Sequence, residues 1–170
     1  MITKDTRNKL IEKLILHEGM KLKVYDDANG KEIRAGDTLV GHPTIGVGRN
    51  VAGDGLGITE EEAKILLSND VDRVLREVNH WVFMENLNEP RKTVIIDMVF
   101  NMGVSRFNEQ EWPKFFKAVM TGNYKEASKQ MLDSKWAGQV KTRANILAKM
   151  METGKWSSII NRCKWEKIDL

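Results

Sequence analysis

Three oxygen-bearing side chains lie close together in the first third of the 170-residue chain. Glu18 stands in His17-Glu18-Gly19, Asp27 follows nine positions later in Val24-Tyr25-Asp26-Asp27, and Thr44 opens Thr44-Ile45-Gly46-Val47-Gly48. Two carboxyls and a hydroxyl converging on one cleft suit hydrolysis of a glycosidic bond. One carboxyl protonates the leaving oxygen, while the other stabilises positive charge on the sugar or activates a water. The proton donor must stay protonated near neutral pH, which requires surroundings that disfavour its charge.

The elements that must position these groups follow from the pattern around them. Leu10, Ile11, Leu14 and Ile15 recur on one helical face, and Glu18 falls four residues after Leu14 and three after Ile15. Glu18 is therefore expected to project from the apolar side of a helix, lose hydration and bind its proton more tightly. Gly19 supplies the helix stop, and Asp5 or Thr6 the expected cap at the other end. Leu22-Lys23-Val24-Tyr25 alternates as a strand, and Ala28-Asn29-Gly30 is a turn signal. Of Asp26 and Asp27 only one can face inward, because successive strand side chains point to opposite sides. Taken singly, each candidate has an ordinary reading: a carboxylate at a frayed helix end, turn chemistry, and a β-forming threonine. Their combination carries the argument.

That ordered combination resembles the phage lysozyme family, the muramidase endolysins of glycoside hydrolase family 24. The matching features are Glu-Gly at the end of the first helix, an apolar-Tyr-Asp strand end nine residues on, and Thr-Ile-Gly-x-Gly beyond it. Asn101-Met102-Gly103, Ser134-Lys135-Trp136, Thr142-Arg143-Ala144 and Thr153-Gly154-Lys155-Trp156 extend the likeness from about Leu10 to Trp156. The resemblance implies that Glu18 is the catalytic acid, that Asp27 is the second carboxylate, and that Thr44 helps to hold the attacking water. Asp26 is then a structural neighbour. Arg143 would pair with Glu18, and Asn101 would bind substrate or cap its helix. Two departures stand out. Lys31 to Pro43 forms a longer connection than the family's usual hairpin, and Arg49 occupies a position where the family often has His. Asp37 and His42 in that connection read as polar loop residues at the cleft rim, and Arg49 as a partner in a structural ion pair.

The implied fold is α+β and lysozyme-like. A small N-terminal α/β lobe with a short antiparallel sheet, about residues 12–58, is joined by a long helix to an all-α lobe comprising about 1–11 and 59–170. The implied activity is cleavage of the β-1,4 bond between N-acetylmuramic acid and N-acetylglucosamine in peptidoglycan, lysing a bacterial host for phage release. Inversion is the expected stereochemistry, since a threonine beside the aspartate makes sense as a water holder. A lytic transglycosylase acting on the same bond is the nearest alternative, although such enzymes work without the second carboxylate. A non-catalytic wall-binding protein is the alternative of another class. The implied partner is the glycan strand. The enzyme would act as a monomer, accumulate in the host cytoplasm and depend on a separate holin-type permeabiliser to reach the wall.

Composition sets wider bounds. With 41% hydrophobic and 30% charged residues the chain is ordinary for a globular protein, and a net charge of +3 does not choose between cell-wall polymers and nucleic acid. Basic residues are interspersed with acids, against nucleic-acid binding. A lone cysteine, Cys163, excludes an internal disulfide, and scattered His17, His42 and His80 give no metal spacing, so no metal or cofactor is expected. The charged N-terminal residues read as neither a signal peptide nor a membrane span.

Beyond a glycine-dense stretch, Thr59 and Glu62 form a capping box that opens a long helix with Ala63, Leu67, Val71, Val74 and Val78 on one face. Five helical segments are expected after residue 58. Val94, Ile95, Met98, Val99 and Met102 form the face of one, ended by Gly103, and Trp112-Pro113 opens another that Gly122 stops. Asn123 is a cap, and Ile146, Leu147, Met150 and Met151 form a face ended by Gly154. Ile159, Ile160 and Trp165 can pack the tail against the helical lobe.

Overall fold

A computed structural model describes residues 2–158; Ile159, Ile160, Cys163 and Trp165 lie outside the described residues. The class is α+β, with seven α-helices and one three-stranded antiparallel sheet among the described residues. The chain divides into two compact units, Met1–Ala63 and Lys64–Leu170. The division falls inside the long helix. It leaves residues 1–11 with the sheet unit, where the sequence reading had put them in the helical lobe, because the first helix runs without a break into the chain that forms the sheet.

In the first unit, α1 (Lys4–Glu18) is capped by Thr3, whose side chain accepts the N–H of Thr6. The cap thus lies ahead of both Asp5 and Thr6. Gly19, at a positive φ of 72°, ends the helix and donates its N–H to the Ile15 carbonyl at 2.9 Å. Strand β1 (Lys21–Asp26) pairs antiparallel with β2 (Pro43–Gly46), which pairs with β3 (Arg49–Asn50). In this register Tyr25 lies opposite Thr44 and Asp26 opposite Pro43.

The long connection between β1 and β2 is organised by Asp26, the inward-facing member of the aspartate pair at 3% exposure. After the turn at Gly30 the chain runs back beside β1, with the Ile33 N–H on the Val24 carbonyl and a bridge from Glu32 to Tyr25. It turns again at Arg34–Asp37, where the Asp37 carboxylate accepts the Arg34 N–H. It then returns to Asp26, whose Oδ2 accepts the Val40 N–H at 2.7 Å and whose Oδ1 accepts those of Gly41 and Ala28 at 3.0 Å each. The Val40 N–H, with those of Ala28 and Gly41, holds this carboxyl below the usual carboxylate range against the opposing effect of burial.

The far edge of the sheet is tied down by a second carboxylate. Arg49 makes a two-pronged ion pair with Glu62 at 2.9 and 3.1 Å and donates to the Gly57 carbonyl. Glu62 also accepts the Thr59 N–H, and Thr59 Oγ1 accepts the N–H of Glu62, which completes the expected capping box. That Thr59 N–H, with the charge of Arg49, keeps Glu62 below the usual carboxylate range. The substitute for the family's His is thus a structural arginine.

Helix α2 (Glu60–Val78) buries only Val74 and Val78 of its apolar residues. The second unit continues with a 3-10 turn at Val82–Asn86, then α3 (Glu89–Met102), α4 (Pro113–Met120), α5 (Tyr124–Leu132), α6 (Lys135–Val140) and α7 (Thr142–Thr153). Asn88, Asn123 and Ser134 cap α3, α5 and α6 with their side-chain oxygens. Six α-helices rather than five therefore follow residue 58 among the described residues; α6 spans six residues, too few to show a hydrophobic period. The core gathers Ile95, Met98, Phe107, Phe115, Met131 and Met151 from α3 to α7 and the loops between them, confirming the methionine and aromatic stripes as packing.

Two consequences can be measured. Removing the Met98 side chain, fully buried in α3, leaves a cavity, and Met98→Ala should destabilise the second unit by about 2–5 kcal/mol in denaturant unfolding. Tryptophan fluorescence can report it, since Trp81, Trp112, Trp136 and Trp156 all lie in that unit. Because the folded-state pKa of Asp26 is depressed, its contribution is complete above the ordinary aspartate value of about 3.9 and is lost as pH falls through the lower folded value. Amide-exchange protection of Val40 and Gly41 should therefore fall in that acid range, and in Asp26→Asn it should already be weak at neutral pH. Unchanged protection in the variant would contradict the clamp.

Candidate active site

Of the five candidate residues, the structure ties Asp27 and Thr44 into one local arrangement, and His42 makes the connection. The Asp27 N–H donates to the His42 carbonyl at 3.1 Å, and the His42 N–H donates back to Asp27 Oδ1 at 2.7 Å. Thr44 Oγ1 donates to the same carbonyl at 3.2 Å. The ring of His42 completes the group, with Nδ1 3.6 Å from Asp27 Oδ2. Sequence reasoning placed His42 in a polar loop. Its pairing depends on how a thirteen-residue connection closes, which no local spacing encodes.

This arrangement has a definite local cause. Asp26 pulls Gly41 inward, and the loop can approach only because residue 41 has no side chain: a Cβ there would fall on Asp27 Oδ1 and on Ala28. Pro43 then enters β2 opposite Asp26, so His42 is held on both sides. The two aspartates divide their tasks by alternation. Asp26 is buried as the loop clamp, and Asp27 is directed outward with its side chain 42% exposed.

The chemical capacity of the pair follows from these contacts. Asp27 Oδ1 is engaged, whereas Oδ2 can accept a proton or hydrogen bond from an incoming water. The Thr44 hydroxyl uses its single proton on the His42 carbonyl and retains lone pairs that can accept a further hydrogen bond. Thr44 is itself buried at 3% exposure, so it is a fixed acceptor rather than a mobile one.

Glu18 differs from its expectation. It sits at the last position of α1, two residues before β1 begins after Met20, so the Gly19 turn connects it directly to the strand that carries Asp27. The expected loss of hydration is absent. No residue of α1 is buried, Leu10, Ile11 and Leu14 are 46%, 38% and 45% exposed, and Glu18 itself is exposed. Amphipathic spacing identifies the side of the helix on which Glu18 stands, but it does not supply a covering surface.

Asn101 and Arg143 belong to the second unit, each with a partner there. Asn101 Oδ1 accepts the indole N–H of Trp136 at 2.8 Å, joining α3 to α6. Arg143 donates to Asp97 Oδ1 from Nε and Nη2 at 3.0 and 2.9 Å. Burial pushes the Asp97 carboxyl above the usual range, against the pull of the Arg143 guanidinium. Within this unit the cation expected to partner Glu18 is thus neutralised by Asp97.

Comparison with known proteins identifies the family. The family model described as phage lysozyme matches residues 16–152. The chain is 29% identical over 179 aligned positions to the pre-baseplate central spike protein Gp5 of Enterobacteria phage T4, an alignment covering 92% of this chain and 30% of that protein. It is 27% identical over 154 positions to the probable T4-type lysozyme 1 of Dictyostelium discoideum, covering 81% of this chain and 89% of the relative. A second Dictyostelium discoideum protein, probable T4-type lysozyme 2, is 27% identical over 101 positions, covering 57% and 58%. The chain thus spans less than a third of the spike protein and most of the first lysozyme. Since the family match begins in the last turn of α1, takes in the whole sheet and ends within α7, the chain belongs to the phage lysozyme family.

Proposed function

We propose that the chain is a muramidase that hydrolyses the β-1,4 bond between N-acetylmuramic acid and N-acetylglucosamine in peptidoglycan. Membership of the phage lysozyme family supports the enzyme class, glycoside hydrolase. The observation that supports the mechanism is the joint attachment of Asp27 and Thr44 to one loop residue, His42, with only Oδ1 of the Asp27 carboxylate hydrogen-bonded to it.

In this reading Glu18 donates its proton to the leaving oxygen. Glu18 is exposed in the structure, and a sugar laid across it would displace water from the carboxyl. Asp27 stabilises the positive charge that develops on the sugar ring and, with Thr44, orients the attacking water. Asp27 takes the proton that the attacking water releases, which leaves Glu18 ionised and Asp27 protonated, and transfer of a proton back to Glu18 through solvent restores the starting state. Asn101 and Arg143, which the family resemblance marks as supporting residues, are fixed within the second unit by Trp136 and Asp97.

The biological setting proposed is release of phage by host lysis, with the enzyme made in the host cytoplasm, working as a monomer and admitted to the wall by a separate permeabiliser. The likeness to a baseplate spike protein over 92% of this chain favours one further reading, in which the same activity is carried on a particle and opens the wall at entry. Purified particles containing the chain would support the second setting, and its presence only in the soluble lysate the first.

The activity is tested by incubating purified peptidoglycan with the wild type and with Glu18→Gln, following turbidity and identifying released ends by mass spectrometry. The wild type should release reducing muramic ends. The variant should lose at least about a hundredfold, the range for removing a general acid. Anhydro ends would indicate a transglycosylase, and wall binding without release would leave only a binding role.

A further inference from the structure

Building on the reading of the site given above, we propose that the His42 side chain is a positioning residue for Asp27, holding the plane of the carboxylate on which the attacking water must be aligned. The Asp27 side chain is 42% exposed and has one hydrogen bond, from the His42 main chain to Oδ1. A single bond to one oxygen leaves the carboxylate free to swing about its last torsion, a broad and soft one. The second oxygen is where the plane can be fixed, and His42 Nδ1 faces it at 3.6 Å. That separation exceeds hydrogen-bond length and is a polar contact that a small rotation of either group would close.

The backbone that carries the ring is held in place. The Gly41 N–H is bound by buried Asp26, Pro43 is fixed in φ and paired across the sheet, and the His42 N–H and carbonyl are both engaged. A side chain with such constrained surroundings can orient its neighbour at little entropic cost, which is what a positioning group requires. The ring is 55% exposed, so its burial stabilises the fold little, and its Nδ1 faces Asp27 Oδ2. The long Lys31 to Pro43 connection thereby brings a titratable side chain against the second carboxylate.

The ring's tautomer provides a test that does not depend on activity. Neutral imidazole in water favours the proton on Nε2, whereas a carboxylate facing Nδ1 favours it there. Long-range proton–nitrogen NMR spectra of the whole chain, recorded where the ring is neutral, should show His42 with the proton on Nδ1, and Asp27→Ala should return it to Nε2. A wild-type ring protonated on Nε2 would overturn the proposal.

Kinetics on a soluble glycan fragment provide the second test. His42→Ala should lower kcat roughly tenfold, as expected for a misaligned reacting group, while KM stays within about twofold because ground-state binding is untouched. His42→Asn, whose amide nitrogen is attached to Cγ as Nδ1 is, should recover most of the rate. Equal losses in the two variants, or a change confined to KM, would count against a positioning role. If the wild type releases no reducing muramic ends, the muramidase reading fails, and the tautomer still decides whether His42 holds Asp27.

Discussion

Asp26 gathers the N–H groups of Ala28, Val40 and Gly41 onto one buried carboxylate, and the geometry of the candidate site depends on that gathering. A connection as long as Lys31 to Pro43 has many ways to close. Three charge-assisted bonds to a side chain fixed in β1 select one of them, and the selected closure sets Gly41 against Asp27 and His42 beside it. Thr44 follows in register across from Tyr25. The aspartate that does no chemistry in the proposed mechanism is therefore the one that positions the aspartate that does.

The two candidate carboxyls are prepared in different degrees. Asp27 lies in a framework of main-chain bonds before any substrate arrives. Glu18 stands exposed at a helix end, with its helix terminated by Gly19 and no buried neighbour on the same helix. Of the two candidate carboxyls, Asp27 is therefore the one fixed by contacts of its own sheet connection. In the second unit Asn101 and Arg143 are secured by local partners, Trp136 for Asn101 and Asp97 for Arg143.

Much of this was legible in the sequence wherever the cause is local. The stop at Gly19, the inward and outward division of Asp26 and Asp27, and the capping box of Thr59 and Glu62 all rest on neighbours a few positions apart or on strand alternation. What escaped depends on distant closure or on short range without a period. Thr3 caps α1 ahead of Asp5 and Thr6 because cap preference names residue types and leaves the position open. Helix α6 is too short to show a stripe, although Ser134 three residues before Ala137 marks its start. The hydration of Glu18 was misread because amphipathic spacing reports a helix face and not what covers it. The partnership of His42 with Asp27 joins residues fifteen positions apart and follows only from the Asp26 clamp.

The central claim is that Asp27 and Thr44 hold a water for direct attack while Glu18 protonates the leaving group. The most direct test is the anomeric configuration of the freshly released product, followed by proton NMR before mutarotation. A held water attacking from the face opposite the leaving group inverts the centre, so the account predicts the α-anomer as the first product of a β-linked substrate. Initial release of the β-anomer would mean that Asp27 acts as a nucleophile through a covalent intermediate, and the arrangement around His42 would then have to be understood as aligning that attack instead.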